Sequence, residues 1–130
     1  MFDHVSIGVA DLARSRKFYD AVLKPLGHAC LYGEGSLGYG PASRGEGGGG
    51  IGLWVLPSAK PVKAEMKSGL HFCFAAGSRK AVDAFHAAAL KAGGRDNGKP
   101  GLRADYGPGY YAAYVIDPDG YRIEAYCGGT

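Results

Sequence analysis

Asp3-His4-Val5-Ser6-Ile7-Gly8-Val9 and Leu70-His71-Phe72-Cys73-Phe74-Ala75-Ala76 are two versions of one segment. They lie 67 residues apart, and at the same offset Phe18 falls on Phe85, Leu23 on Leu90 and Gly27 on Gly94. The matches run through a strand-like stretch, a helix-like stretch and its stop signal. Self-similarity at a fixed spacing marks a chain built from related supersecondary units. Each unit opens on a strand that carries a histidine, and a histidine duplicated at matching places is how a pseudo-symmetric metal site would be built.

Working outward, residues 2–9 alternate, with Val5, Ile7 and Val9 on one side and His4, Ser6 and Gly8 on the other. Asp11 offers an N-cap to a helix over 12–24, which Pro25 and Gly27 stop. Strands are expected at 30–32, 37–39 and 51–56, around a glycine-rich loop. In the second unit Leu70, Phe72 and Phe74 oppose His71, Cys73 and Ala75, and Ser78 caps a helix running to about Ala92. A loop with Pro100 and Pro108 follows, then strands over 110–116 and 121–127. Asp117-Pro118-Asp119-Gly120 joins them as a hairpin signal, because proline presets φ and glycine accepts the left-handed conformation. The first unit reads β-α-β-β-β and the second is taken to repeat that plan, in a single domain with a first module over 1–56, a connector over 57–68 and a second module over 69–130.

Composition narrows the class. At 130 residues the chain can bury one core without disulfides. Its net charge of +3 comes without a Lys/Arg block or basic helix face, which argues against nucleic acid or a membrane surface as partner. No apolar run reaches spanning length and no signal peptide is apparent. Three cysteines, an odd number without CxxC spacing, point to reduced thiols and a cytoplasmic location.

The faces carry the functional argument. A strand face of histidine and small residues packs poorly but lines a cavity well. On the last strand Ile123, Ala125 and Cys127 share one side and Arg122, Glu124 and Tyr126 the other. If Ile123 lies under the helix, Glu124 enters the same cavity as the histidines. Tyr114 and Tyr126 could offer hydroxyls there, Trp54 a wall, and Arg122 a charge for a substrate anion. The plainer alternatives are a frayed-end His4, a hydrogen-bonded core His71 and a solvated edge Glu124. His28 is read as a surface residue and His86 as facing solvent, while Arg103 and Asp105 fall on a loop that could cover the site. The glycine run at 47–50 is no phosphate cradle, since neither Lys-Ser/Thr nor a helix start follows it.

Three stretches resemble the vicinal oxygen chelate superfamily, which includes glyoxalase I, bleomycin-resistance proteins and extradiol dioxygenases. They are Asp3-His4-Val5 with the run 11–19, Leu70-His71-Phe72, and the ending Val115-Ile116-Asp117-Pro118-Asp119-Gly120-Tyr121-Arg122-Ile123-Glu124. The resemblance implies an α+β fold, two βαβββ modules forming an open, incomplete eight-stranded barrel. It implies metal ligands on the first and last strands of each module: His4, a position within 51–54, His71 and Glu124. The segment 51–54 offers no carboxylate, amide or imidazole, so the set reduces to His4, His71 and Glu124. Two histidines and a carboxylate suit Fe(II), and equally Zn, Ni or Mn acting as a Lewis acid. The implied activity is a metal-dependent enzyme of glyoxalase or dioxygenase type, working on a small substrate that chelates the ion through adjacent oxygens. Glu124 and Tyr114 would be its catalytic residues, Trp54, Arg122 and Tyr126 its substrate contacts, and the assembly a homodimer. The alternative is a metal-free small-molecule binding or sequestration protein of the bleomycin-resistance type.

Overall fold

The computed structural model describes residues 1–47 and 49–129. The first module holds strand β1 (Val5–Val9), helix α1 (Leu12–Leu23), β2 (His28–Tyr32), β3 (Leu37–Pro41) and β4 (Leu53–Pro57). The second holds β5 (Phe72–Ala75), α2 (Arg79–Lys91), β6 (Arg95–Leu102), β7 (Tyr111–Ile116) and β8 (Arg122–Cys127). Both modules are βαβββ, so the repeat seen in the sequence is a repeat of structure. The strands form two separate four-stranded sheets, ordered β1-β4-β3-β2 and β5-β8-β7-β6. In each, the opening strand runs parallel to the last and the rest are antiparallel. The sheets remain open and are not closed on one another by strand pairing. This is the expected α+β class.

Local chemistry explains the helices. The Asp11 side chain accepts from the Arg14 amide and the Ser78 side chain from the Ala81 amide, which caps α1 and α2. Helix α1 tightens into a 3-10 turn at Lys24–Leu26 and ends on Gly27 in the left-handed conformation. Gly94, its sequence counterpart, does not play that part. Gly93 takes the positive φ, and a Cβ on Gly94 would lie 2.6 Å from Phe18 Cε2, so Gly94 serves close packing between modules. Phe18, Val22, Val82, Phe85 and Ala89 are fully buried between the helices and sheets in one shared core. Leu23 is buried and its counterpart Leu90 is 47% exposed, which marks where the repeat stops being symmetric.

Two readings of the sequence need correction. The stretch 95–102 is a strand rather than a loop; it is a sheet edge with two register shifts, which tolerates Pro100 and its glycines. His86 is buried, not solvent-facing, because its Nε2 bonds Asp96 Oδ1 at 2.8 Å. His28, read as a surface residue, is half-exposed, and its Nδ1 finds no partner among the described residues.

The modules are held together by the β7–β8 turn. Asp117 Oδ1 accepts from the amides of Asp119, Gly120 and Tyr121, while Oδ2 accepts from the Tyr19 hydroxyl of α1 at 2.6 Å. Asp119 sits at the N-terminus of α1, where Oδ1 accepts from the Ala10 amide and from Arg14 Nη2, and Oδ2 from Ser15 Oγ. A carboxylate there also meets the positive end of the helix dipole. The Tyr121 hydroxyl donates to the Gly8 carbonyl of β1. Burial and the neighbouring Asp117 push the Tyr19 phenol well above its ordinary range.

Tyr19→Phe leaves Asp117 Oδ2 buried without a donor. It should lower the urea-measured unfolding free energy by about 1–3 kcal/mol at neutral pH. A phenol whose folded-state pKa is raised contributes stability that is complete below about pH 10 and is lost as pH rises toward the folded value. The wild type should therefore lose stability above about pH 10, and the variant less steeply. Equal slopes would show that Tyr19 is not the group responsible.

Candidate functional site

In each sheet the helix takes the face bearing the bulky residues. Val115, Ile123 and Ala125 are buried on that side of the second sheet. Tyr114, Glu124 and Cys73 consequently project from the other. Register aligns them in one row across four strands: Cys73 opposite Glu124, Glu124 opposite Tyr114, Tyr114 opposite Gly98. The matching row of the first sheet is Ser6, Trp54, Gly38 and Tyr32. Since Ser6 and Cys73 are equivalent in the repeat, Trp54 occupies in the first module the place that Glu124 occupies in the second. The segment 51–54 thus carries an aromatic ring where its counterpart carries an acid.

Glu124 is the centre of the second face. It is 2% exposed, and a carboxylate so far from water needs donors. Its Oε2 lies 2.9 Å from His71 Nε2, and its Oε1 accepts from the Tyr110 hydroxyl at 2.6 Å. The His71 side chain is 42% exposed, so an accessible imidazole stands over a buried acid. The ring of Tyr114 meets that of His71 edge-on, with centroids 6.3 Å apart. Burial, then the hydrogen bond to Glu124, raises the Tyr110 phenol above its usual value, and burial, then the Glu124 charge, pushes Tyr114 up to about 12. Both remain protonated donors at neutral pH. The Cys73 thiol is pushed up to about 12 by burial and by Glu124, so it is not a thiolate there.

His71, Glu124 and Tyr114 are therefore brought together. Tyr126 joins them indirectly, stacking on Tyr110 with centroids 4.1 Å apart. His4 is not joined to them by any hydrogen bond; its Nδ1 is bonded to Asp3 Oδ1 at 2.6 Å, and the side chain is half-exposed. Arg122 turns to the segment entering the second module, donating from Nη2 to the Leu70 carbonyl and from Nη1 to Met66 Sδ of the connector. Trp54 packs edge-on against Tyr32 at 5.6 Å and lies over Gly38, where a Cβ would come within 2.9 Å of the indole. Tyr110 is absent from the residues singled out in the sequence; the available signal for it is its shared parity with Tyr114 in the strand expected over 110–116, although it lies just before β7. An apolar cavity of about 550 Å³ lies along the β5 edge, lined by Phe2, Val5, Leu53, Leu70, His71 and Phe74 among others.

The donor chemistry of His71 and Glu124 fits a divalent ion. Within one chain, however, the fit is incomplete: among the described residues no three His, Cys, Asp or Glu side chains are grouped so as to hold a metal. The cysteines are free. No helix among the described residues is long and apolar enough to cross a membrane.

Tyr110→Phe strips Glu124 Oε1 of its donor and should cost about 1–3 kcal/mol in urea unfolding. Tyr126→Phe keeps the stack and should cost less than about 0.5 kcal/mol. If the two variants are equally stable, the Tyr110 hydroxyl does not support Glu124.

Comparison with known proteins fits this geometry. The model of the Glyoxalase/Bleomycin resistance protein/Dioxygenase superfamily matches residues 1–125. A glyoxalase/bleomycin resistance protein from Albidiferax ferrireducens T118 is 35% identical, with a TM-score of 0.79 over 97% of this chain and 98% of that one. The fosfomycin resistance protein FosX of Listeria monocytogenes shares the fold at 15% identity, with a TM-score of 0.68 over 97% and 91% of the two chains. So does a glyoxalase I mutant from Zea mays, at 20% identity and a TM-score of 0.70, covering 96% of this chain and 45% of that one. No curated protein matches. Two βαβββ modules, a buried acid with its histidine, and a family model spanning nearly every residue agree: the chain belongs to the glyoxalase/bleomycin resistance protein/dioxygenase superfamily.

Proposed function

We propose that the chain is a metal-dependent enzyme of the glyoxalase or dioxygenase type, acting on a small molecule with adjacent oxygens. The observation that carries this reading is the pair of Glu124, almost wholly buried, with the accessible His71 at 2.9 Å. A buried acid beside an exposed imidazole is a poor way to gain stability and a good way to present two ligands or a proton-transfer pair. His71 and Glu124 would hold the ion. The third ligand, His4, is not grouped with them in a single chain, so the reading takes it from a second copy and entails a homodimer. When bound, the ion supplies Lewis-acid polarisation of the substrate oxygens.

The chain's own residues do the rest. Tyr110 fixes the carboxylate plane from the side away from His71. Tyr114 offers a protonated hydroxyl on the same face as the acid. Trp54 on the first sheet provides a flat apolar surface for the body of the substrate, with Tyr126 on the second. Arg122, held by the connector, shapes the entrance of the face rather than its floor. Cytoplasmic residence suits the free thiols.

A second reading is favoured by one observation, the presence of Trp54 at the first-module position equivalent to Glu124. In it the protein binds and sequesters a small molecule without metal, as in the bleomycin-resistance branch.

Metal analysis of protein purified without chelators separates the two. The enzyme reading expects about one divalent ion per chain and a dimer in solution, with metal lost in His4→Ala/His71→Ala and in Glu124→Gln. Equally low metal in wild type and double variant would leave only the binding reading. Full metal retention in His4→Ala alone would remove the partner's histidine from the site.

A further inference from the structure

Arg103 lies on the face of the second sheet that carries Glu124, and its setting is unusual for a guanidinium. Its Cζ stands 5.4 Å from the centroid of Tyr114, the residue directly opposite Glu124 in the register. The β6 strand beneath it carries glycine at the two positions that the guanidinium covers, Gly98 and Gly101. A Cβ on Gly98 would lie 3.4 Å from Arg103 Nη2, and one on Gly101 3.2 Å from Nη1. The Arg103 amide donates to the Tyr110 carbonyl at 2.7 Å, which ties its backbone to the residue that supports Glu124. Nη2 donates to the Lys99 carbonyl at 2.6 Å. The side chain is thus folded back over two glycines and laid against an aromatic ring in a fixed orientation.

Its donors are mostly unspent. Among the described residues, one of its five N–H groups has a protein acceptor and no carboxylate pairs with the guanidinium. The contrast with Arg14 is direct, since that guanidinium is paired with Asp119. A half-buried, oriented and charge-uncompensated guanidinium is the arrangement that recognises a planar oxyanion through two parallel hydrogen bonds. Tyr114 lies between it and His71, so an anion on Arg103 and a group at the His71–Glu124 pair could belong to one small molecule.

We infer that Arg103 is the specificity-determining residue of this site and that its ligand carries an oxyanion, a carboxylate or a phosphate. The inference rests on the site reading above for the placement of the rest of the ligand, and it deepens that reading by naming a substrate class. Asp96 and Asp105 are the acids nearest in sequence; Asp96 bonds His86 and the Gly98 amide and does not reach the guanidinium.

The test is calorimetric titration of the full chain with benzoate, phenyl phosphate and the neutral benzyl alcohol, at low and high salt. Wild type should bind one or both anions better than benzyl alcohol, and more weakly at high salt. Arg103→Gln should weaken anion binding about tenfold or more, and Arg103→Lys, which keeps the charge and loses the fork, should fall between them. Arg79→Gln removes the same charge from the other arginine–tyrosine pair, on Tyr111, and should leave binding unchanged. Whichever anion binds tells carboxylate from phosphate. Wild-type affinity in Arg103→Gln, or no preference of wild type for anions over benzyl alcohol, overturns the inference. Metal content is measured on the same samples and should be equal in wild type and Arg103→Gln. A metal-free wild type with Arg103-dependent anion binding would end the enzyme reading and keep this one, whereas a metal-loaded wild type indifferent to Arg103 would do the reverse.

Discussion

A carboxylate removed from water must be surrounded by donors, and three acids in this chain impose that requirement on everything near them. Asp117 takes three amides of its own turn and the Tyr19 hydroxyl. Asp119 takes an amide, a guanidinium and a hydroxyl from the start of the first module's helix. Glu124, five residues further on, takes an imidazole and a phenol. The first two fasten one module to the other. The third, on the strand that the turn launches, is placed by them. The short stretch from Asp117 to Glu124 therefore sets both the assembly of the modules and the position of the site.

The pseudo-symmetry is informative where it fails. Both modules present a row of four residues on the face away from their helix. One row centres on an acid and the other on the only tryptophan of the chain. Glycine does related work in both: Gly38 makes room for the indole and Gly98 for the Tyr114 ring. A side chain at either glycine would push an aromatic ring off the sheet. The result is one polar half and one apolar half built on a common scaffold, a division suited to a ligand with two unlike ends. Small residues on the strands and large rings above them are two aspects of the same packing.

Much of this was legible in the chain itself. The offset between His4 and His71 exposed the modules, and alternation assigned Ile123 to the core and Glu124 to the opposite face. Capping by Asp11 and Ser78 followed from residue type alone. The strand over 95–102 was missed because glycine and proline suppress the alternation that reveals a strand, and an edge position tolerates them. His86 was misjudged because its partner, Asp96, lies beyond the end of the helix, outside any local period.

Periodicity and the repeat determined which residues share a face, because side-chain direction along a strand or helix is fixed by backbone geometry. They also marked the repeated unit, whereas the fold class, paired modules forming an open barrel, was implied by the resemblance carried by 3–5, 11–19, 70–72 and 115–124. Only the tertiary structure decided which of those residues meet. It joined His71 to Glu124, supplied Tyr110 from a loop, left His4 bonded to Asp3, and folded Arg103 back over Gly98 and Gly101. Such meetings depend on loop paths and on the docking of one module against the other, and neither is written in the period of a strand.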